Sequence, residues 1–242
     1  MSGSDRRTIG LTALPEETIL ALTVNGRSLT RLSCSPFDRE ELVIGWLFTQ
    51  GIIVHPEELT GIAVGTCERA RIGLSPPALA RLQTYHPFRS SGCGEGAAED
   101  RSLDEIESMP SSLSVSPDML VRLMRRLIDG AERFAEHGGI HGAMLADPEA
   151  ETPLVLREDI GRANAVDKVI GWGFRTQINF TKTVLLTTGR LSSEMLLKTV
   201  RAQIPIVVSR TTLTSRTLEI AKRSGQTVAG HILKPRPILI NI

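Results

Sequence analysis

Between Thr18 and Ser33 the apolar positions run Ile19, Leu22 and Val24, stop at Asn25-Gly26, and resume at Leu29 and Leu32. Asn-Gly between two such runs is a strong signal for a tight hairpin, because both central residues of that turn need positive φ. The period then changes. After Asp38 come Arg39-Glu40-Glu41 and the apolar positions Leu42, Val43, Trp46 and Leu47. This predicts a helix of about a dozen residues, capped by Asp38 and stopped near Gly51. Short strands are expected over 62–66 and 70–74, with a short helix after Pro77. Pro117–His137 reads as one amphipathic helix, its apolar face carrying Leu120, Leu123, Met124, Leu127 and Ile128.

From Gly139 onward strands and helices alternate. Strands are expected over 143–146, 154–156, 183–188, 204–209, 227–229 and 237–240, and helices over 163–172, 192–202 and 215–224. The β-α-β-α-β order from Thr183 to Ala229 calls for right-handed crossovers and a largely parallel, covered sheet. The expected fold class is α/β, with a smaller α+β N-terminal domain over 1–84, a flexible cysteine-bearing loop over 85–116 and an α/β domain over 117–242. Within that loop, RSSGCGEGAAEDRS has neither period. A segment of this length without elements is usually functional or disordered.

Composition narrows the partners. Hydrophobic residues are 41% and charged residues 23% of the 242, the balance of a globular chain with room for one core and a smaller companion. Lys plus Arg number 28 against 27 for Asp plus Glu, which gives no ground for bulk binding to nucleic acid or an anionic membrane. A local basic pocket for one anionic ligand stays compatible with it. No apolar run approaches the roughly eighteen residues of a membrane span, and the first residues lack the apolar stretch of a secretory signal, so a cytoplasmic location is expected. Three separated cysteines, Cys34, Cys67 and Cys93, suit a reducing compartment. There is no C-x-x-C pair and no zinc-like spacing, so no resident metal is expected.

Three segments carry chemistry. Cys93 sits in Ser90-Ser91-Gly92-Cys93-Gly94-Glu95-Gly96, where flanking glycines free the backbone and exposure lets the thiol ionise and act as a nucleophile. Cys34 and Cys67, in or beside apolar strands, read as packing. The run Thr188-Gly189-Arg190-Leu191-Ser192-Ser193 ends a strand and starts a helix, and Ser209-Arg210-Thr211-Thr212 repeats the plan one unit later. Each turn offers helix N-terminal amides, hydroxyls and one arginine, the equipment for a phosphate at the carboxyl edge of a parallel sheet. The plainer alternative is ordinary helix capping by Ser and Thr. Third, Arg157–Lys168 is densely charged between a strand and a helix: Asp159, Arg162, Asn164 and Asp167 are candidates, against a reading in which Asp159 or Asn164 caps and Glu158–Arg162 is a solvated pair. His141, after Gly138-Gly139, is a further candidate.

Together these segments resemble one family over nearly the whole chain. Val24-Asn25-Gly26-Arg27, Glu40-Glu41-Leu42-Val43-Ile44-Gly45-Trp46-Leu47, Gly138-Gly139-Ile140-His141, Arg157-Glu158-Asp159-Ile160-Gly161-Arg162, Asn164-Ala165-Val166-Asp167-Lys168 and Gly189-Arg190-Leu191-Ser192-Ser193-Glu194 match, in order and spacing, the FdhD family of formate dehydrogenase accessory sulfurtransferases, also called sulfur carrier proteins. The resemblance implies a cytidine-deaminase-like C-terminal domain and a homodimer. It implies that Cys93 accepts sulfane sulfur from a cysteine desulfurase as a persulfide. That sulfur would pass to the molybdenum cofactor, bis(molybdopterin guanine dinucleotide), destined for formate dehydrogenase. The guanine-nucleotide portions, with GDP as their analogue, would sit about Arg190, Ser192, Ser193, Ser209 and Arg210. The family's cofactor-contacting segment near the C-terminus maps onto His231, Ile232, Leu233, Lys234, Pro235 and Arg236. The sequence also departs from the pattern: Gly96 replaces the second loop cysteine, Ala163 replaces a usual histidine, and Gly230–Ile238 keeps only the glycine and second arginine of its motif. The alternative function is a cofactor-binding chaperone, or a divergent paralogue, that transfers no sulfur. A zinc deaminase is excluded, since His141 is followed by Gly142 and Ala143 rather than by a general-acid glutamate, and no C-x-x-C is present.

Overall fold

Asn25 and Gly26 take φ of 44° and 83°, and the hairpin forms where the alternation stops: β1 (Thr18–Val24) returns as β2 (Arg27–Cys34). The computed structural model describes residues 14–65, 68–85, 106, 108, 109 and 113–241. β3 (Leu59–Val64) and β4 (Arg69–Leu74) complete a four-stranded sheet in the order β2-β1-β4-β3, with β1 and β4 parallel. α1 (Arg39–Thr49) and α2 (Pro76–Thr84) belong to the same unit. Leu20, Leu22 and Val24 of β1 meet Leu42, Val43 and Leu47 of α1 in its core.

The second sheet has six strands in the order β10-β9-β8-β7-β5-β6. These are β5 (His141–Asp147), β6 (Thr152–Asp159), β7 (Val184–Thr187), β8 (Ile206–Ser209), β9 (Thr227–Gly230) and β10 (Ile238–Ile240). The parallel unit expected from the β-α-β-α-β order is β7-β8-β9, while β5, β6 and β10 join it antiparallel, so the sheet is mixed. One face is covered by α5 (Arg162–Arg175), α6 (Ser193–Arg201) and α7 (Ser215–Ser224), the other by α3 (Pro117–Gly130). All four strand residues of β7 and of β8 are buried, which is why they read as short unbroken apolar runs.

The two units meet through α1 and α5. Gly45 and Gly171 stand at the crossing, where the backbones approach so closely that a Cβ on either would overlap a carbonyl oxygen of the other helix. Phe48 packs on Phe174 across the junction with ring centroids 4.5 Å apart. Buried ionic contacts run alongside. Asp167 bonds Lys198 at 2.8 Å and Thr49 Oγ1 at 2.8 Å, and Arg157 forks onto Glu41 at 2.5 and 3.0 Å.

Two helix expectations need correction. Asp38 precedes α1 but does not cap it: its φ of 51° is left-handed, its side chain accepts no cap bond, and its carboxylate lies 3.6 Å from Arg157. Pro117–His137 is two helices, since the chain breaks at Ala131 and restarts as α4 (Glu132–His137). The cause is the buried Glu158, which accepts from the amides of Arg133 (3.3 Å) and Phe134 (2.7 Å), donors that a continuous helix would spend on its own carbonyls.

Candidate functional site

Thr187 and Ser209 are in register on β7 and β8, so the turns after them leave the same edge of the sheet side by side. They are stitched together: Arg210 N donates to Thr187 O (3.0 Å), Leu191 N to Thr212 O (3.1 Å) and Thr214 N to Leu191 O (3.1 Å). β5 lies antiparallel on the other side of β7, which delivers its first residue, His141, to that edge. Thr188 and Gly142 close this junction, with Thr188 N donating to Gly142 O (2.9 Å) and Gly142 N to Thr188 Oγ1 (3.0 Å).

Gly189 is the centre of the arrangement. A Cβ there would lie 2.8 Å from Cβ of Arg162, so the glycine makes room for the arginine that opens α5. Its carbonyl accepts from Ser209 Oγ at 2.7 Å. Arg210 extends over the Phe134 ring, 4.9 Å from the centroid. At the end of β9, His231 turns through a left-handed φ of 51° and its amide donates to Thr211 O (2.6 Å).

The hydroxyls do not satisfy the helices they precede. Ser192 and Thr214 occupy the cap positions of α6 and α7, yet neither side chain accepts a cap bond. Ser192 Oγ, Arg162 Nε and His141 Nδ1 are all shielded from solvent and lack a hydrogen-bond partner among the described residues. Unpaired buried polar groups are costly, and they collect here beside free helix N-termini. Cations outweigh the opposing carboxylate around His141. His141 is held neutral, its pKa pushed below the usual value by burial and then by the guanidiniums of Arg162, Arg210 and Arg190, with Asp159 opposing. Glu194, in the first turn of α6, is pushed up by burial, against the pull of Lys198 and Arg162. Three guanidiniums that never lose their proton, a hydroxyl and an imidazole suit a ligand rich in acceptors and negative charge, such as a phosphate ester.

The candidates read from sequence therefore separate. Arg162, Arg190, Ser192, Ser209, Arg210, His141 and His231 belong to this edge, and Ser193 begins α6 beside it. Ile232 does not offer its side chain: it is 2% exposed and packs in the core beneath α3, its amide reaching Ser209 O at 3.4 Å. Leu233, Lys234, Pro235 and Arg236 follow it, exposed. Asp159, Asn164 and Asp167 are taken up inside the protein. Asp159 bonds Lys168 (2.8 Å), the amides of Ser35 (3.1 Å) and Gly161 (2.8 Å), and Asn164 Nδ2 (2.9 Å), while Asn164 also reaches Ser33 O (2.7 Å). They tie the end of β2 to the start of α5. Asp167 serves the α1–α5–α6 contact described above. Glu158 pairs with Arg133 rather than Arg162. Phe134, which supports Arg210, escaped the sequence reading because an aromatic at helical spacing looks like core.

Cys93 and Cys67 lie outside the described residues. Cys34 is fully buried, and burial followed by the Asp159 carboxylate pushes its thiol up to about 11. A thiol so placed is inert at neutral pH. A separate groove of about 680 Å³ lies between Trp46, Leu79, Leu82 and the hairpin, with Arg27 its one charged liner among the described residues.

Comparison with known proteins agrees across the chain. The model of the FdhD/NarQ family matches residues 15–239. Relatives named sulfur carrier protein FdhD occur in Geobacillus kaustophilus (32% identical over 217 residues, 88% of this chain and 82% of that one) and Bacillus pumilus (31% over 229 residues, 90% and 84%). The crystal structure of a candidate formate dehydrogenase accessory protein from Desulfotalea psychrophila superposes with a TM-score of 0.76 at 28% identity, covering 95% of this chain and 88% of that one.

Proposed function

The chain belongs to the FdhD/NarQ family, and from that premise we propose that it is a sulfur carrier serving a formate dehydrogenase, with Cys93 as the carrying atom. Relatives bearing the name sulfur carrier protein, and the accessory protein that shares the fold, support the role. We propose further that the sulfur comes from a cysteine desulfurase and goes to bis(molybdopterin guanine dinucleotide), held at the edge formed by β7, β8 and β5. The observation that carries this second step is the set of unpartnered buried groups there: His141 Nδ1, Arg162 Nε and Ser192 Oγ. They are matched to the cofactor's phosphates, with Arg190 and Arg210 supplying further charge.

The chemistry is thiol exchange. Cys93 thiolate attacks the terminal sulfur of the desulfurase persulfide; a new S–S bond forms at Cys93, and the electron pair of the old one leaves with the desulfurase thiolate. Delivering that sulfur onward as sulfide takes two electrons. Since Gly96 stands where the family has a second cysteine, this chain cannot supply them by closing a disulfide within the loop. They come from a reduced molybdenum centre or an external thiol. The carrier is read as a cytoplasmic homodimer, and no helix among the described residues is long and apolar enough to cross a membrane.

Gly96 also favours a second reading, a protein that holds the cofactor without donating sulfur. Incubation with a cysteine desulfurase and cysteine, followed by mass spectrometry of the intact chain, separates the two. Wild type gains one sulfur and Cys93→Ser gains none. A wild-type chain of unchanged mass refutes sulfur carriage, and retained GDP binding would then support the second reading.

A further inference from the structure

His141 combines an unpartnered ring nitrogen with a surround of arginines. It is half-buried at the start of β5, and its Nδ1 is shielded from solvent and has no hydrogen-bond partner among the described residues. The guanidiniums of Arg162 on α5, Arg210 after β8 and Arg190 after β7 act on it electrostatically, in that order of strength. Opposing them is Asp159 on the adjacent β6, whose Cα partner across the ladder is His141 itself. That carboxylate is already paired with Lys168 at 2.8 Å. Glu194 on α6 lies in the fields of Arg162 and Lys198.

We propose that His141 is a binding residue of this anion site and that it gains a proton when a phosphate group fills it. The inference rests on the reading of this edge as a phosphate-binding site and adds to it a proton that travels with the ligand. In the free protein, burial and three guanidiniums disfavour a fourth positive charge, so the ring is neutral. A bound phosphate cancels part of that field and presents acceptor oxygens, both of which favour the protonated ring with its two N–H donors. The sign follows. The complex binds more protons than the free protein between the two pKa values of His141, so affinity rises as pH falls through that window and levels off below it. Ligand is held more firmly on the acid side and released more readily as pH rises.

Sulfate is the first probe, because its charge is constant where the terminal phosphate of GDP itself titrates. Its dissociation constant is measured on the full chain from about pH 8 down to about pH 5 at fixed ionic strength, the range in which histidine changes charge. A competition with GDP shows that both ligands share the site. Wild type should tighten about tenfold as pH falls across that range. His141→Gln, which keeps a hydrogen-bonding group without a titratable one, should bind at every pH with a flat profile. Isothermal calorimetry of wild type in two buffers of different ionisation enthalpy should show proton uptake, and this arm needs no variant to fold. An equal pH slope in His141→Gln, or no proton uptake by wild type, overturns the proposal. If neither sulfate nor GDP binds at any pH, the phosphate-site reading fails as well, a result distinct from binding without pH dependence.

Discussion

Replacing Gly171 by alanine should destabilise the protein, although helix propensity alone says the opposite. In a helix interior alanine is favoured over glycine by about 1 kcal/mol. At this position, however, the added Cβ would overlap Glu41 O and lie 2.7 Å from Gly45 N and 2.9 Å from Glu41 C. Gly45→Ala meets the mirror problem, overlapping Asp167 O and lying 2.6 Å from its carbon. The obstructing atoms are backbone, so no side-chain rotation relieves them and α1 must move away from α5. Overpacking of this kind costs about 1–3 kcal/mol. The same displacement pulls on Thr49–Asp167–Lys198, and opening a buried pair costs about 3–5 kcal/mol. Even with partial relaxation the net loss is about 3 kcal/mol, enough to lower Tm by roughly 6–12 °C in a chain of this size. Calorimetric or circular-dichroism melts of Gly45→Ala and Gly171→Ala measure it. Gly61→Ala is the control: that glycine is exposed on β3 with open space where the Cβ goes, and its Tm should hardly change. An unchanged or raised Tm in Gly171→Ala would refute the close-contact argument.

Other expectations can be measured directly. Lys168→Met leaves the buried Asp159 carboxylate without its cation and should cost about 3–5 kcal/mol in denaturant melts, whereas a surface substitution such as Arg122→Met, at an exposed ion pair, should leave the melt nearly unchanged. Arg162→Ala should weaken GDP or sulfate binding about tenfold or more while leaving Tm close to wild type, as expected for one lost charge-assisted bond. Cys34 keeps its proton in the folded chain up to about pH 11 against an ordinary value of 9.0. The unfolded chain therefore releases a proton first, and stability that is full below pH 9 should fall as pH rises toward 11. Cys34→Val should lose that part of the fall, and iodoacetamide at neutral pH should label Cys34 only after unfolding.

Local rules carried much of the fold. The Asn25-Gly26 hairpin, α7 over Ser215–Ser224 and the three buried parallel strands formed where periodicity and turn chemistry placed them. What was illegible depended on distant partners. The break at Ala131 exists because a carboxylate on β6, Glu158, takes the amides of α4. Asp38 fails as a cap because Arg157, far along the chain, competes for it. The charged run from Arg157 to Lys168 looked uniform in sequence, yet of its four candidates Arg162 stands at the edge of β7 and β8 while Asp159, Asn164 and Asp167 are bonded within the protein. The antiparallel placement of β5 beside β7, also invisible in the sequence, puts His141 at that same edge. Ile232 shows the same limit: its motif position pointed to a ligand, and its side chain fills the core.

Sulfur is proposed to pass through Cys93 to the molybdenum cofactor. Radiolabelled sulfur, supplied as cysteine to a desulfurase, can be followed into the cofactor of an apo formate dehydrogenase in the presence of this chain. Label should appear in the isolated cofactor with wild type and be absent with Cys93→Ser, with enzyme activity rising in parallel. Equal labelling with the two proteins would contradict the account, as would a labelled carrier that never yields a labelled cofactor.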